Sequence, residues 1–440
     1  MKDFAIIFMV LMLVWAAWLK PWVGVLGLAV LGILHPQNYG GALLRDVPVY
    51  GLLFVVTLGA ASRDQYQQRT WPAFFWDWRF LILGLLGAVF LASTVNSINP
   101  WMAWPHLVEV AKIAPPLLLL LWLIDTREKL HFLLLVMGLS VAAVTLKGGY
   151  WALITGFQDR VYGPPGSQIG GNNEFAIASA MALPLLMIGV RSAYPLWVRA
   201  VLVGGVVLGY VAILTSWSRG GLLSLAAVTI AMLVFSRRRH WGLTGVVVGM
   251  VALGFLMPET WFERMGTIGA HTADASAQNR LHVWGMGVDF MHAHPLLGGG
   301  FEGWIFATLS QGMPLDWHNA YIEIGTEHGL LGLAFWLVLL VGTMMDLALC
   351  AHQGLRKRDN WLYTGGSTLF AGMVAYAVGA MFLGIAYWEF LYWLLFCAIV
   401  TRRLAHQPHG RTQSKSMDNK PDGMPSNPPD LSDKLTARSK

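Results

Sequence analysis

Residues 200–235 read AVLVGGVVLGYVAILTSWSRGGLLSLAAVTIAMLVF, two apolar runs separated by the single charged residue Arg219. As helices, runs of this length cross a hydrocarbon core of about 30 Å. Lipid cannot satisfy exposed backbone N–H and C=O groups, so spanning segments of this kind are helical. The alternating pattern of membrane β-strands is absent from the sequence. The stretch therefore predicts two transmembrane helices joined by a very short turn.

Apolar runs of the same kind recur along the chain. Hydrophobic residues make up 56% and charged residues 12% of its 440 residues, which excludes a soluble globular protein. We predict an all-α, polytopic membrane bundle of about thirteen spans, or twelve if the first two form a hairpin or one lies in the interface. The predicted spans cover residues 4–19, 22–34, 47–61, 79–95, 104–124, 128–146, 174–190, 197–217, 220–236, 241–257, 319–349, 361–384 and 387–401.

Composition divides the chain into a transmembrane domain, residues 1–403, and a tail, residues 404–440. The tail is rich in Pro, Ser, Asn and Asp and has too little apolar area to fold, so we predict that it is disordered. From Arg402 onward it holds eight Lys or Arg against four Asp, which is most of the formal net charge of +6. A solvated cytoplasmic tail explains this excess, and no nucleic-acid partner is predicted.

Basic loops predict how the bundle is oriented. Residues 236–240, 354–358 and 402–403 are strongly basic, and the intervening spans place them on one face of the membrane. The positive-inside rule makes this face cytoplasmic, and with it the C-terminus. The two long connections, 147–173 and 258–318, are then extracytoplasmic.

Arg219 is the first candidate for chemistry. An arginine at the membrane boundary is costly unless it pairs or has a function. Gly220 and Gly221 follow it as a helix begins, where free N–H groups and the helix dipole favour an anion. The guanidinium adds a planar fork that suits phosphate oxygens. The alternative is an arginine that snorkels or forms an interhelical ion pair.

The connection 258–318 holds five of the thirteen histidines together with Arg280. Its helical periodicity over Asn279–Ala293 predicts an amphipathic helix on the membrane surface, with Asn279 as the cap and Arg280 at its start. His294-Pro295 and Gly298–Gly300 predict that this helix then breaks. Arg280 is a second candidate for binding an anion, or else an interface anchor.

His318 and Asn319 stand where the next span begins. A helix N-terminus disfavours the imidazolium, so we predict a neutral His318 that acts as a general base. A capping or structural histidine is the alternative. Glu327, nine residues on, is a supporting candidate that orients His318 or lines the cavity. Asn319 and Asn173, which each stand where a span begins, are further supporting candidates.

No metal or cofactor is predicted. The candidate ligands fit no strong metal-binding signature, and the two cysteines form no CxxC pair. The sequence also lacks GxSxG, P-loop and GxGxxG motifs, so serine hydrolases and nucleotide-driven enzymes have no support. The metal candidates weighed were His271, Asp274, His282, His292 and His294.

In their order along the chain, these motifs resemble the O-antigen ligase/polymerase superfamily of bacterial membrane glycosyltransferases. The stretch GPPGSQIGGNNEFA at residues 163–176 resembles the subgroup described as exosortase-associated O-glycosylation ligases. The resemblance covers roughly residues 170–345 by motif and the rest by the layout of spans. The matching pieces are Ser218–Gly220, Arg280 with Trp284, His294–Leu296, Gly298–Gly300, His318–Tyr321 and His328–Gly332.

The resemblance implies transfer of a glycan from a polyprenyl diphosphate carrier to an acceptor hydroxyl, without metal or nucleotide. The reaction would take place on the periplasmic side of the inner membrane. Carried over, Arg219 and Arg280 hold the donor diphosphate, and His318 deprotonates the acceptor for an inverting displacement. The acceptor would be lipid A core, protein Ser or Thr, or the growing polysaccharide, in which case the protein is a polymerase.

A transporter or flippase for a lipid-linked substrate is the alternative from a different class. Such proteins need ionisable groups near the middle of the bilayer and interrupted helices. Glu109 and Lys112, in a span that contains Pro115-Pro116, are the features that favour it.

Overall fold

The computed structural model describes residues 2–39, 47–68, 75–236, 239–266, 275–309 and 316–406, in which the regular secondary structure is helical, without strands. The first half of the chain forms α1 (Lys2–Leu19), α2 (Pro21–Leu34), α3 (Val49–Gln68), α4 (Trp78–Val95), α5 (Pro100–Ala111), α6 (Ala114–Leu123), α7 (Arg127–Ile154) and α8 (Asn172–Arg191). The second half forms α9 (Leu196–Leu214), α10 (Arg219–Val234), α11 (Arg239–Leu256), α12 (Glu259–Gly266), α13 (Ala275–Ala293), α14 (Trp304–Leu309), α15 (Ala320–Arg356), α16 (Asn360–Gly379) and α17 (Glu389–His406).

Among the described residues, seven helical segments are long and apolar enough to cross a membrane: α4, α5 with α6, α7, α8, α9, α11 and α15. Three shorter apolar helices, α1, α2 and α10, coincide with further predicted spans. The remaining predicted spans fall on α3, α16 and α17, which carry more polar residues. The prediction of a polytopic all-α membrane bundle is confirmed, with fewer clear spans than the predicted twelve or thirteen.

The bundle is built around α8, of which 78% of the apolar window is buried. It packs against α7, α9, α10 and α16. Small residues on the neighbours permit this, because a Cβ on Gly138 of α7 would lie 2.9 Å from Leu185, and one on Gly209 of α9 only 2.7 Å from Leu183. Close approach at small residues is the usual way in which helices associate in membranes.

The helix α11 is the opposite case. None of its residues is buried within the protein, although it is apolar enough to span the membrane. It contacts α10 near its own first turn, where Gly242 lies close to the side chain of Leu233. We therefore expect α11 to face lipid over most of its length.

A kink divides α15 at Gly329, whose φ of 66° and ψ of −170° interrupt the helix. This left-handed conformation favours glycine. A side chain would also not fit at this position, because a Cβ there would collide with the backbone of Leu296 and Leu297. The sharp bend thus follows from one glycine pressed against a neighbouring turn.

The turn at Gly298–Gly300 packs into the kink. Its N–H groups donate hydrogen bonds to the helix carbonyls that lose their helical partners at the kink. The N–H of Gly299 donates to the carbonyl of Thr326 at 2.8 Å, and that of Gly300 to the carbonyl of Glu327 at 2.9 Å. Buried carbonyls without partners would destabilise the fold, so the turn and the kink depend on each other.

In its described residues, the connection 258–318 contains three helices, α12, α13 and α14, of which the sequence located one. α13 starts at Ala275, so the prediction that Asn279 is its cap is wrong, since Asn279 lies in the second turn. The upstream residues Ala275–Gln278 favour helix themselves and extend it. The predicted break is confirmed, because α13 ends at Ala293.

At the C-terminus, α17 continues to His406, past the predicted start of the tail at residue 404. Contacts between residues divide the chain into a unit Met1–Leu404 and a remainder Ala405–Lys440. The rest of the predicted tail, residues 407–440, lies outside the described residues.

Candidate active site

A polar cavity lies where α8 and α10 begin, with an empty volume of about 400 Å³. Arg219 and Arg280, predicted from separate parts of the sequence, both line it, as does the supporting candidate Asn173. The cavity therefore gathers guanidiniums from three helices next to a side-chain amide. Its walls are Asn173, Ile177, Ser218, Arg219, Gly220, Arg264, Arg280 and Phe382.

Local packing explains why Arg219 stands at the rim of this cavity. Ser218 caps α10, its hydroxyl accepting a hydrogen bond from the N–H of Gly221 at 2.9 Å. Arg219 is thus the first helical residue, half-buried beside the cavity. Gly221 lies so close to Ala176 on α8 that a side chain there would force the two helices apart. The predicted helix start behind Arg219 is confirmed.

Arg264 on α12 is a cavity residue that sequence reasoning missed. Its Nε donates to the carbonyl of Trp217 at 3.1 Å, while the Arg160 guanidinium lies 5.9 Å from the centre of the Trp217 ring. Burial, with the nearby guanidiniums of Arg160 and Arg219, lowers the pKa of Arg264, and Arg280 adds to this. Four arginines are therefore close enough to repel one another, and a bound anion would relieve that repulsion.

Arg280 has one acidic neighbour, Asp316. Burial and the Arg219 guanidinium lower the pKa of Arg280, whereas the Asp316 carboxylate raises it. The same carboxylate places Oδ2 3.2 Å from Nδ1 of His318. His318 is not part of the cavity wall, but the Asp316 carboxylate acts electrostatically both on it and on Arg280, which is. The three predicted side chains are thus brought into one region.

One edge of the His318 ring is exposed to the surroundings of the protein. Nδ1 is buried and lies 3.2 Å from Oδ2 of Asp316 without hydrogen-bond geometry, whereas 45% of the side chain is exposed, so we expect Nε2 at the open edge. The backbone of His318 is left-handed, with φ of 45°. For a residue with a side chain this costs about 1–2 kcal/mol, and strain of this kind is common at functional sites.

Asn319 holds the helix that follows. Its side chain caps α15 by accepting hydrogen bonds from the N–H groups of Tyr321 at 2.9 Å and Ile322 at 3.3 Å. The next residue, Ala320, donates its N–H to the carbonyl of Ala380 at 2.8 Å. Asn319 therefore supports the site by fixing the backbone directly after His318.

A second contact fixes α13, with Arg280, relative to His318. The indole N–H of Trp284 donates to the carbonyl of Trp317 at 2.8 Å. One turn further, Gly287 lies against Ile322 and Trp317, with no room for a side chain. The helix that carries the arginine and the loop that carries the histidine are thus held together directly.

Glu323 on α15 is another carboxylate near Asp316, and the loop between α16 and α17 lies against both. A Cβ on Gly384 would lie 3.3 Å from Oε1 of Glu323 and 3.4 Å from Oδ1 of Asp316, so this glycine separates the two acids. Glu323 is anchored there, because its Oε2 accepts the N–H of Ala386 at 3.1 Å. The acidic side of the site was missed because the sequence does not reveal the contacts that these acids make with Gly384 and Ala386, which lie in a distant segment.

Glu327 lies in a separate buried network. Its carboxylate accepts hydrogen bonds from the hydroxyl of Tyr387 and the N–H of Glu302, the latter at 2.9 Å. His328 continues the network, with Nε2 2.8 Å from the Tyr387 hydroxyl and Nδ1 2.7 Å from Oγ of Ser93. The network joins α4, the kink in α15 and the loop before α17. The contacts of Glu327 thus point to support of the fold rather than to direct contact with His318.

Replacing Glu327 by leucine removes the acceptor for two buried donors. Each unsatisfied group costs about 1–3 kcal/mol, so we expect a loss of about 2–4 kcal/mol and a clear fall in melting temperature in detergent. Glu327→Gln keeps an acceptor oxygen and should lose less. Glu109→Leu, on an exposed carboxylate, is the control. Equal melting temperatures for the variants at 327 and 109 would show that the network does not stabilise the protein.

Potential metal ligands do not come together in the part of the chain that the structure describes, where no group of three His, Cys, Asp or Glu side chains suits a metal ion. Of the five candidates weighed from the sequence, His271 and Asp274 lie outside the described residues.

The charged residues that favoured transport pair with each other. The Lys112 ammonium lies 2.5 Å from Oε1 of Glu109, and both side chains are well exposed. α5 ends and α6 begins around Lys112, before the predicted Pro115-Pro116 interruption. Side chains three residues apart are neighbours on a helix, so the two charges offset each other within this one segment.

Comparison with known families gives two matches. Residues 204–337 match the O-antigen ligase family, and this stretch contains Arg219, Arg280 and His318. Residues 1–186 match a family of unknown function, DUF5935. Curated proteins offer no match to the chain. The predicted resemblance is confirmed at the level of the superfamily, and the exosortase-associated subgroup stays a prediction.

Proposed function

We propose that this protein transfers a glycan from a polyprenyl diphosphate carrier to an acceptor hydroxyl, because residues 204–337 of this multi-pass membrane protein match the O-antigen ligase family. The reaction takes place on the extracytoplasmic face, which is the periplasmic side of a bacterial inner membrane. The acceptor is lipid A core, a protein hydroxyl or another glycan. Neither a metal ion nor a nucleotide takes part.

The arginines bind the leaving group. Arg219 and Arg280 contact the donor diphosphate, with Asn173 donating from its amide and α10 adding the positive end of its dipole. As the bond between the anomeric carbon and the diphosphate oxygen breaks, negative charge grows on that oxygen. Fixed cations that meet the growing charge stabilise the transition state more than the ground state.

His318 activates the acceptor. Neutral imidazole with Nδ1–H towards Asp316 leaves Nε2 to take the proton of the acceptor hydroxyl. The acceptor oxygen then forms a bond to the anomeric carbon on the face opposite the departing diphosphate. The configuration at that carbon inverts, and the products are the glycosylated acceptor, polyprenyl diphosphate and the protonated histidine, which returns its proton to water.

One observation supports this proposal most strongly. Arg219 and Arg280, on different helices, line the same cavity, and Asp316 contacts the histidine while it acts electrostatically on Arg280. A cationic pocket for a leaving group beside a histidine is what displacement at a diphosphate-linked sugar needs.

The proposal is tested by supplying the substrates to purified protein in lipid vesicles. We expect a polyprenyl diphosphate-linked glycan and a lipid A core acceptor to yield a joined product of inverted configuration, seen by mass spectrometry and NMR, with a chelator present. Elongation when the donor glycan is the sole acceptor would indicate a polymerase. No product with lipid A core, peptide or glycan acceptors would overturn the proposal.

A counterflow experiment separates this enzyme from a flippase. Vesicles that contain the protein should not exchange labelled lipid-linked glycan between leaflets faster than protein-free vesicles. Exchange without transfer would favour transport instead.

The contact between Trp284 and Trp317 predicts a positioning effect. Trp284→Phe removes the donor to the Trp317 carbonyl, at a cost of about 1 kcal/mol, and loosens Arg280 relative to His318. We expect transfer to slow about twofold to tenfold with donor KM little changed. Trp241→Phe on the exposed helix α11 is the matched control. Equal rates for both variants would show that this hydrogen bond does not position the site.

A further inference from the structure

A second cavity lies at the opposite end of α8, where α7, α8 and α16 meet. Its empty volume is about 600 Å³, with its open mouth included. Neither the sequence motifs nor the proposed reaction uses it. Its walls are Leu130, His131, Leu134, Ile188, Arg191, Ser192, Asn360, Trp361, Thr364 and Gly365.

This cavity and the arginine-lined one belong to different faces of the membrane. Asn173 and Arg191 line one each, at the two ends of α8. At 1.5 Å per residue they are about 27 Å apart, close to the thickness of a hydrocarbon core. The basic loops beside the second cavity place it on the predicted cytoplasmic face.

Arg191 is the arginine in this wall. No carboxylate pairs with it among the described residues, and it is exposed at the rim. Its neighbours are different: Arg127 pairs with Asp359 at 3.0 Å, and Arg199 donates to the carbonyl of Val190 at 2.9 Å. The fold therefore uses the nearby arginines internally and leaves Arg191 facing the cavity.

The walls change from polar to apolar with depth. His131, with Nε2 3.1 Å from the Tyr194 hydroxyl, stands beside Arg191 at the polar end. Leu130, Leu134 and Ile188 form a buried apolar floor. A small neighbouring cavity, also lined by Arg191, contains Thr368, whose buried hydroxyl has no partner within the described part of the chain.

We propose that this cavity binds the phosphate-bearing headgroup of an anionic membrane phospholipid, with Arg191 contacting the phosphate. A guanidinium fork suits phosphate oxygens, and basic pockets between transmembrane helices at the cytoplasmic side commonly hold anionic headgroups. The apolar floor suits the glycerol and the first acyl carbons, which a soluble anion lacks. The site is independent of glycan transfer.

The test measures lipid binding to the full-length protein by native mass spectrometry. Phosphatidylglycerol is titrated against detergent-solubilised protein, with zwitterionic phosphatidylcholine, whose choline offsets its phosphate charge, as the comparison without net charge. We expect Arg191→Gln to weaken phosphatidylglycerol binding about fivefold and to leave phosphatidylcholine unchanged. Arg356→Gln, which removes an exposed arginine on the same predicted face but outside the cavity, is the matched control and should keep wild-type affinity.

A second arm separates lipid from soluble phosphate. Inorganic phosphate at millimolar concentration should not displace phosphatidylglycerol, and Leu134→Trp, which fills the apolar floor, should weaken lipid binding. Displacement by phosphate alone, with no effect of Leu134→Trp, would assign the site to a soluble anion and overturn the lipid proposal. Wild-type affinity in Arg191→Gln, or an equal loss in Arg356→Gln, would overturn it as well.

Discussion

His318→Ala lowers the rate of glycan transfer by about 10²–10⁴, the usual contribution of a positioned general base. The loss falls on kcat, because the imidazole takes the acceptor proton only as the new bond forms. Donor binding stays intact, since His318 lies outside the arginine-lined cavity. Single-turnover kinetics with saturating donor measure the drop, and protection against thermal unfolding by donor measures the binding that remains.

His292→Ala is the control for this variant. His292 is exposed on α13, in the same part of the chain, so its loss removes an imidazole without touching the site. We expect transfer at the wild-type rate. If His318→Ala transfers glycan as fast as this control, His318 is not the base, and its left-handed backbone and contact with Asp316 serve the structure alone.

Arg219→Ala and Arg280→Ala each cost about 2–4 kcal/mol of transition-state stabilisation, a fall of about 30-fold to 1,000-fold in kcat/KM for the donor. The two guanidiniums act on the same leaving group, so the double variant should lose less than the sum of the single losses. Lysine at either position restores activity only in part, because a point charge lacks the planar fork. Steady-state kinetics with varied donor concentration measure these effects.

Arg356→Ala is the matched control, since it removes an exposed arginine remote from the cavity. Full activity in the lysine variants would show that the two arginines contribute positive charge and not the geometry of the guanidinium. Wild-type kinetics in both alanine variants would remove them from the mechanism, and the diphosphate would have to bind elsewhere.

Sequence reasoning can find Arg219, Arg280 and His318 because each has a local signal. Arg219 interrupts two apolar runs, Arg280 begins a polar periodic segment, and His318 precedes a long span. Each signal follows from the cost of placing a polar group at a membrane boundary. The cost of an isolated charge can be judged from the residues around it, so no knowledge of the tertiary structure is needed.

The other parts of the site depend on tertiary contacts. Arg264 lies in the same connection as Arg280, but it became a cavity residue only because α12 places it beside Trp217. Asp316 gained its importance from contacts with His318 and Arg280 that join separate helices. Hydropathy does not mark such residues, because a charged residue in a polar loop is normally a solvated one.

In the fold, too, some features follow from local sequence and others only from tertiary contacts. Apolar runs predicted the helices, with boundaries within several residues, because burial in lipid depends on composition. The kink at Gly329 was not predicted, since a glycine inside a helix is usually tolerated. The reason for the kink is visible only in the structure, where the turn Gly298–Gly300, some thirty residues earlier, packs into it and hydrogen-bonds to its carbonyls.

That kink has a mechanical consequence. A straight helix of 37 residues would be about 55 Å long, and a push at one end would swing the other like a rigid rod. The bend at Gly329 instead divides it into a short arm that begins beside His318 and a long arm that crosses the membrane. Gly299 and Gly300 anchor the short arm at Thr326 and Glu327, so we expect the placement of the histidine to depend on this anchorage as well as on the tilt of the long arm.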